Sequence, residues 1–442
     1  MKTQIIAAVA IAAASGIVTP RVARSQSSLG LSLDDAKTMA RHSSTDLRAA
    51  REAVEAARGR ELQAGAFSNP ALSYSTERTS GSGQTNRQQI AGIEQRIEIG
   101  GQRGARRAAA VFRRRAAEAR ATGVQASIDF EVARAYAQVV AADRRASLAR
   151  QAAAAFTEAG RVSQRRLAAG DISVYADRRL KLEAARYAAL EAEANLTRRS
   201  ARITLSSLLA ASPDSIRVLD AVLTDSIPTS IPRLGAEQLL AAALRNRADY
   251  QVASLESEAF AADTRLASRE RIPSPSFSGG FKTEESAGVS GSLNGFAAGV
   301  SFPVPLFDRR KGAIQAASAD ARRAEIERES VRRRITREVL EAQDALSAVE
   351  QQRSLLAPQL GVPAAAALRS AQVAYAEGEI TLLEWLDAVR AYHEAESAFA
   401  NLVAESLIRR ATLERVVSAQ LATLVATQPN PGTNDNLAME NK

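Results

Sequence analysis

Apolar residues recur at helical spacing along most of the chain, and two short patches of alternating residues interrupt them. The helical pattern predicts one element over about 34–64 and another over about 236–269, each leading into such a patch. After the patches it predicts longer helices over about 103–164, 176–210, 311–358 and 363–424. A helix of about 55 residues extends about 80 Å. The pattern therefore predicts two antiparallel coiled hairpins, with tips that contain Gly170 and Gly378, rather than a globular core.

The two patches predict four short strands. The alternating runs span about 71–79, 88–99, 275–284 and 293–304. Pro70 and Pro275 stand at the start of the patches and exclude helix there. In the last run one face carries Phe296, Ala298, Val300, Phe302 and Val304, and small residues take the other face. An apolar face opposite a small or polar one is typical of a strand in a membrane β-barrel.

Each patch passes directly into a long basic helix. The stretch IEIGGQRGARRAAA (97–110) does so in the first half, and PLFDRRKGAIQAASA (305–319) does so in the second. Glycine tolerates the backbone angles that a strand-to-helix junction needs, and we predict hinges at Gly100, Gly101, Pro303 and Pro305. The glycines resemble a phosphate-binding loop, but no βαβ unit surrounds them.

The chain contains a tandem duplication. The segment 31–50 aligns with 234–253 in the printed sequence, and the order and spacing of later motifs are kept as far as Gly170 and Gly378. We therefore divide the chain into a first repeat (31–212), a linker (213–233) and a second repeat (234–425). Four strands are too few to close a barrel, since about eight is the smallest size that works. Oligomerisation would have to supply the missing strands, and a trimer would supply twelve.

Composition restricts the classes of protein that remain. The chain of 442 residues is 46% hydrophobic but only 4% aromatic, and its acidic and basic residues are interspersed along helices, which is typical of solvated helix faces. The net charge of +9 therefore does not indicate nucleic-acid binding. Residues 1–25 have the layout of a secretory signal peptide, and 426–442 form a polar tail that we predict to be disordered. No later segment is long and apolar enough to be a membrane-spanning helix.

No catalytic or cofactor constellation stands out. There is no cysteine, so disulfides and N-terminal lipidation at a cysteine are excluded. His42 and His393 are the only histidines and lie in different repeats, which does not favour a metal site. We expect no enzyme activity and no cofactor, and we expect Trp385, the only tryptophan, to pack between helices at the second tip.

At this point the sequence resembles the TolC-like outer-membrane factors, the exit ducts of tripartite efflux pumps and type I secretion systems. The resemblance rests on the two strand-to-helix passages and on the tips RRLAAGDIS (165–173) and YAEGEITLLEWLDA (375–388), and it extends from about 31 to 425. The shorter chain and the wording PLFDRRKG (305–312) look more like the branch that serves heavy-metal resistance pumps.

The resemblance implies a mainly α protein with membrane β-strands. It implies a homotrimer with a twelve-stranded barrel in the lipid of the Gram-negative outer membrane, standing on an α-helical tunnel through the periplasm. The implied partners are a periplasmic adaptor and an inner-membrane pump, expected to be of the RND type. Substrates, heavy-metal cations or drugs among them, would pass through passively.

The resemblance also assigns residues at the tips. By position, acidic residues that line the family's constriction fall on Glu384 and Asp387, three apart and so on one helix face. The residues expected to dock the adaptor are Arg166, Leu167, Gly170, Asp171, Glu377, Gly378 and Glu379. A basic residue of the family's latch between protomers is Ile380 here, and its acidic partner falls on Ala176, with Asp177 beside it. The latch is therefore absent or rebuilt.

One alternative belongs to another class. An exported periplasmic coiled-coil adaptor or scaffold without a pore would also be rich in long helices. An adaptor is expected to interrupt a single helical hairpin with a β-rich domain, whereas this sequence predicts two hairpins and two strand pairs.

Overall fold

A computed structural model describes residues 30–82, 84–218, 235–286, 288 and 290–421 of the chain. The predicted signal peptide (1–25) and tail (426–442) lie outside the described residues, as does most of the predicted linker. The described linker residues include a short 3₁₀ turn at Pro213–Ser215, and Val218 forms an isolated parallel bridge with Leu31.

The first repeat contains four helices and two strands. They are α1 (Leu33–Ser43), α2 (Thr45–Ala64), β1 (Ala71–Gly81), β2 (Gln84–Arg96), α3 (Gln102–Ala169) and α4 (Val174–Leu209). Helix α3 alone has 68 residues, which at 1.5 Å per residue gives a length of about 100 Å.

The second repeat has the same order with one more break. Its elements are α5 (Ala236–Asn246), α6 (Ala248–Arg269), β3 (Ser276–Glu285), β4 (Leu293–Ser301), α7 (Lys311–Leu356), α8 (Val362–Glu377) and α9 (Leu382–Val417). The helix predicted over 363–424 is wrong as a single element, because the turn at Gly378 separates α8 from α9.

The first helix of each repeat is also wrong as a single element. The predicted helix 34–64 breaks at Ser44, whose backbone is extended and whose side chain accepts a hydrogen bond from Leu47 N to cap α2. The predicted helix 236–269 breaks at Arg247, which is also extended. The Arg247 guanidinium is held by Asp249 and Glu338, at 2.8 and 2.5 Å. Caps and ion pairs that form only in the fold stabilise these breaks, and a continuous apolar stripe does not reveal them.

The four strands form one antiparallel sheet in the order β1-β2-β3-β4. Strand β2 of the first repeat pairs with β3 of the second, so the duplication is joined at the centre of the sheet. Strands β2 and β4 end at Arg96 and Ser301, short of the predicted 99 and 304. The β3–β4 ladder stops at the Ser276–Ser301 pair, because prolines, which have no N–H to donate, lie just beyond it on both strands.

One face of the sheet is apolar and open to the surroundings. In the register of the sheet this face carries Leu72, Tyr74, Ile93, Phe277, Phe281, Phe296 and Val300, all at least 45% exposed. The opposite face holds mainly small and polar residues, and Gly280 lies so close to the neighbouring strand that an added Cβ would stand 2.5 Å from Ala91 O. In β4 the predicted division between an apolar and a small-residue face is confirmed as far as Ser301, but Phe302 and Val304, predicted on the apolar face, lie beyond the end of the strand.

The helices lie side by side in four columns. Helices α2 and α4 cover one flank of α3, while α6 and α9 lie between α3 and α7, which α8 continues. Alanine fills much of the core between them, and its small side chain lets the helices approach closely. Among the residues that the structure describes, no helix is both long enough and apolar enough to span a membrane.

Candidate functional site

The two helix tips are built by the same local signals. Helix α3 ends at Gly170, whose φ of 82° is left-handed, and Asp171 N donates to Arg166 O. Helix α8 ends at Gly378, whose φ is 84°, and Glu379 N donates to Ala374 O. Both turns are αL caps of the type that glycine favours. The predicted tips at Gly170 and Gly378 are confirmed.

The two tips of one chain lie against each other. The Arg166 guanidinium stands 6.0 Å from the centre of the Tyr375 ring, and one of its nitrogens is 3.7 Å from the position that a Cβ on Gly378 would take. Across the hairpins above, Arg390 and Glu183 approach to 3.6 Å. The structure therefore brings the predicted docking residues Arg166 and Gly378 together at the end of the helical columns.

The other predicted docking residues surround this contact. Leu167 is half-buried at the end of α3, and Gly170 and Asp171 are exposed in the first turn. Glu377 and Glu379 are exposed on either side of the second turn. Together with Arg166 and Gly378 they form one accessible surface, and its role in docking stays a prediction.

A cluster of aromatic rings fixes the tips from inside. Trp385 is 2% exposed, stacks on Tyr375 with ring centres 5.3 Å apart and meets the edge of Phe156 at 5.1 Å. Phe156 in turn stacks on Tyr187 at 4.4 Å. The prediction that Trp385 packs between helices is confirmed, and the cluster joins helices α3, α4, α8 and α9.

Glu384 stabilises the start of α9, in addition to the role at the pore that is predicted for it. Its Oε2 accepts hydrogen bonds from Thr381 N at 2.7 Å and from Thr381 Oγ1 at 2.8 Å, while Glu384 N donates to Thr381 Oγ1 at 3.3 Å. This reciprocal arrangement is a capping box that starts α9. The hydrogen bond from the Thr381 backbone, followed by that from its hydroxyl, lowers the pKa of Glu384, so its carboxylate remains charged.

Glu384 and Asp387 both lie on the exposed surface of the first two turns of α9. Neither side chain is taken into the aromatic cluster beside it. The two carboxylates are therefore accessible at the end of the columns, as a ring of pore carboxylates requires.

Asp177 is not available as a latch between protomers. It is only 3% exposed, receives a hydrogen bond from Ser163 Oγ at 3.0 Å and pairs with Lys181 at 2.8 Å. The bond from the Lys181 ammonium is the main cause that lowers the pKa of Asp177. These two bonds hold the carboxylate inside its own hairpin, where it ties α3 to α4.

The first predicted hinge is a junction held by hydrogen bonds. Gly101 has a φ of 75° and begins α3. The buried Gln102 side chain accepts from Gly100 N at 2.9 Å and donates to Ile272 O at 2.7 Å, which ties the junction to the second repeat. A side chain on Gly100 would stand 2.7 Å from Gln102 and 2.8 Å from Ile272. This role of Gln102 in tying the junction to the second repeat was not predicted from the sequence.

The second predicted hinge is more open. Pro303 and Pro305 lie in an extended, exposed link between β4 and α7. The link ends at Arg310, whose φ of 58° is left-handed, whose backbone N donates to Asp308 Oδ1 at 2.8 Å and whose side chain pairs with Glu270 at 3.1 Å. Both hinges remain predictions.

The described part of the chain holds no group of three or more His, Cys, Asp or Glu residues placed to bind a metal ion.

A family model described as "Outer membrane efflux protein" matches residues 38–211 and 239–419. Among curated proteins, the cobalt-zinc-cadmium resistance protein CzcC of Cupriavidus metallidurans is 28% identical over 391 residues, covering 88% of this chain and 90% of that protein.

Two solved structures share the fold. The outer-membrane channel OprN superposes with a TM-score of 0.72 at 21% identity, covering 88% of this chain and 90% of the other. The outer membrane protein VceC of Vibrio cholerae superposes with a TM-score of 0.68 at 19% identity, covering 88% and 96%.

Proposed function

The chain belongs to the outer membrane efflux protein family, and on this premise we propose that it assembles as a homotrimer that conducts solutes through one continuous duct. It acts as the exit duct of an efflux system in the outer membrane of a Gram-negative bacterium and extends into the periplasm. Channels of the family are trimers that work with adaptors and inner-membrane pumps. The family is one of transport channels and not a known family of enzymes.

The observation that carries the proposal is the unfinished sheet. Among the described residues its outer strands β1 and β4 have no partner on their free edges, and one face is apolar and exposed. Unpaired backbone groups are costly in lipid, so the edges must be paired by another copy. Three copies of four strands supply the twelve of the proposed barrel.

The outer helical columns support the same assembly. Helix α4 carries an exposed apolar stripe at spacings of seven, made of Tyr175, Leu182, Ala189, Leu196 and Ile203. This stripe lies on the side of α4 away from α3, and a spacing of seven is the signature of a coiled-coil seam. We assign the stripe to the contact between neighbouring protomers.

The mouth of the duct lies at the helix tips. Three copies of Glu384 and Asp387 would place rings of negative charge there, and the lowered pKa of Glu384 keeps its charge in place. Such rings favour cations over anions. We assign the surrounding surface, from Arg166 to Asp171 and from Glu377 to Glu379, to the adaptor.

The proposed cargo is inferred from the name of a relative, and the proposed partners are inferred from the family. CzcC is named for resistance to cobalt, zinc and cadmium, and we propose divalent heavy-metal cations as the cargo of this duct. We propose a periplasmic adaptor and an RND-type pump as its partners. The metal ions would be cargo in transit rather than resident ligands. A pore-less periplasmic adaptor or scaffold is not favoured, since the family match covers both repeats.

The first experiment is single-channel conductance in planar bilayers, together with the mass of the particle in detergent. The expected result is a particle of three chains with a small, cation-selective conductance. The double variant Glu384→Gln/Asp387→Asn should lose cation selectivity, because it removes both rings of charge. Glutamine is chosen at 384 because it can preserve the capping box that alanine would destroy.

A matched control is available on α7. Glu341 and Asp344 are also exposed and three residues apart, but lie far from the tips. The variant Glu341→Gln/Asp344→Asn should keep the selectivity of the native protein. Equal loss in both variants would reject the acidic mouth, and a monomer without conductance would reject the duct itself.

A further inference from the structure

The long column of the second repeat is broken where that of the first is continuous. Helix α3 runs without interruption to the first tip, whereas α7 ends at Leu356 and α8 begins at Val362. A 3₁₀ turn and Gly361 fill the gap, and Gly361 has φ 71° and ψ −114°. This backbone conformation strongly favours glycine. Gly361 therefore marks the position of the break in the sequence.

One buried carboxylate joins three helices at this break. Glu396 of α9 is 2% exposed. Its Oε1 accepts a hydrogen bond from Gly361 N, at the start of α8, at 2.6 Å, and its Oε2 accepts one from Arg144 of α3 at 2.7 Å. Removing one partner from a buried carboxylate is strongly destabilising, so both bonds are held firmly. Glu396 thus ties the start of α8 to α3 and α9.

Below the break, α8 is held at few points. Tyr375, near its C-terminus, is its one buried residue. The facing part of α3 buries many more side chains, namely Ala146, Leu148, Ala149, Ala152, Phe156, Ala159 and Ser163. Within the chain α8 packs against α9 and the 3₁₀ turn. Its attachment therefore rests on the bond at Gly361, the half-buried Leu368 and the stacking of Tyr375.

We propose that the break is a hinge and that Glu396 is its latch. When the bond between Gly361 and Glu396 opens, α8 swings away from α3 about Gly361 and carries the second tip with it. Helix α7 above the break and the unbroken α3 keep their positions, because α3 buries side chains along its length and α7 buries Ile335, Val339, Ala342 and Leu346. The meaning of this motion, a wider mouth, rests on the proposed duct, whereas the hinge does not.

Spin-label distances within one chain test the hinge. The chain has no cysteine, so two substituted cysteines carry the only labels. One pair, Ala154→Cys and Ser370→Cys, joins exposed positions on α3 and α8 below the break. A reference pair, Gln138→Cys and Ser347→Cys, joins α3 and α7 above it. Labelled chains are diluted into an excess of the native chain, so that each particle carries at most one labelled chain.

The test variant is Glu396→Gln, which removes the charge and weakens both bonds. Charge-assisted hydrogen bonds are roughly twice as strong as neutral ones. We expect the 154–370 distance to gain a second population longer by about 5 Å or more, the rise of one helical turn. The 138–347 distance should not change. If Glu396→Gln does not fold, Glu396→Asp serves the same purpose, because the shorter side chain keeps the charge but cannot reach both Gly361 N and Arg144.

The control is Asp143→Asn. Asp143 is the neighbour of Arg144 and pairs with Arg202 across α3 and α4 at 2.9 Å, so this variant removes an ion pair at the same height without touching the break. It should leave both distances as in the native chain. An unchanged 154–370 distance in Glu396→Gln and Glu396→Asp would overturn the hinge, as would an equal change in the reference pair.

Conductance of the same variants separates this proposal from the duct. A longer 154–370 distance together with a larger conductance supports both. A longer distance in a protein that carries no current supports the hinge and rejects the duct.

Discussion

At the scale of single residues, the tips depend on carboxylates whose protonation state the fold controls. Asp177 is bound to Lys181 and Ser163 inside its hairpin, and Glu384 closes a capping box with Thr381. The hydrogen bonds to these carboxylates lower the pKa of both. A lowered carboxylate pKa contributes stability above the unfolded value, and that stability is lost as the pH falls through the folded value. Acid below about pH 4 should therefore loosen the tips.

His393 should make the second tip sensitive to pH at a milder acidity. Burial lowers the pKa of His393, which lies against the Tyr187 ring with centres 5.8 Å apart. The closed tip thus prefers the neutral imidazole, and an opened tip binds more protons. Stability should be full above about pH 6.5, the usual value for histidine, and should fall as the pH drops below it. Glu394, on the same helix, opposes the shift.

Tryptophan fluorescence gives the measurement, because Trp385 is the only tryptophan and is buried in the tip. Acrylamide quenching should increase between pH 7.5 and pH 5, and His393→Asn should remove that increase. His42→Asn, at the only other histidine, which is exposed, is the matched control and should behave as the native chain. If His393→Asn kept the full pH response, another group would be responsible.

At the scale of elements, helix α4 has two apolar faces. Helix α4 buries Leu180, Tyr187 and Leu205 against its own chain, and leaves its stripe at spacings of seven exposed. Because apolar residues lie on opposite sides, the helix has no single amphipathic face. The inner side holds the hairpin together, and the outer side is free for another copy.

The double variant Leu182→Glu/Leu196→Glu should abolish the trimer. These side chains are 71% and 62% exposed in the single chain, so the hairpin itself should still fold. In the assembly each glutamate would be buried at the seam, which costs several kcal/mol per charge without a partner. Light scattering in detergent should then give the mass of one chain.

Ala154→Glu on α3 is the control for this variant. Ala154 is exposed, and α4 and α9 already cover the flanks of α3. The mass of this variant should remain that of three chains. A trimer that survives Leu182→Glu/Leu196→Glu would place the contact between protomers elsewhere.

At the scale of the whole molecule, the two repeats have the same plan, but one helical column is continuous in the first repeat and divided in the second. The first repeat contains the continuous α3, and the second divides the corresponding column at Gly361. The two tips still meet at Arg166 and Tyr375. A duct made of three such chains would have three stiff hairpins alternating with three that can bend.

The proposed cargo predicts a specific loss of resistance. Deleting the gene from its host should lower tolerance to cobalt, zinc and cadmium ions, because a pump without its exit duct cannot discharge them. Growth in graded metal concentrations measures this, and a neutral hydrophobic drug is the control, with no change expected. The native gene should restore tolerance. Drug sensitivity with unchanged metal tolerance would assign the duct to organic substrates.

The sequence by itself determined the large features of this protein. Helical and strand periodicity, the duplication and the glycines at 170 and 378 are local signals, and they correctly predicted the strand pairs, the hairpins and their tips. Trp385 was correctly predicted to pack between helices at the tip, because large aromatic side chains are highly buried on average.

Only the tertiary structure decided which polar groups meet. Glu396 and Arg144 are 252 residues apart, and Gln102 reaches Ile272 across 170 residues. Their contacts follow from how the columns pack, which no local pattern encodes. The fold likewise decided that Asp177 is bound inside its hairpin and that the first helix of each repeat breaks. Periodicity records the average environment of a helix face, whereas hydrogen bonds depend on the position of single atoms.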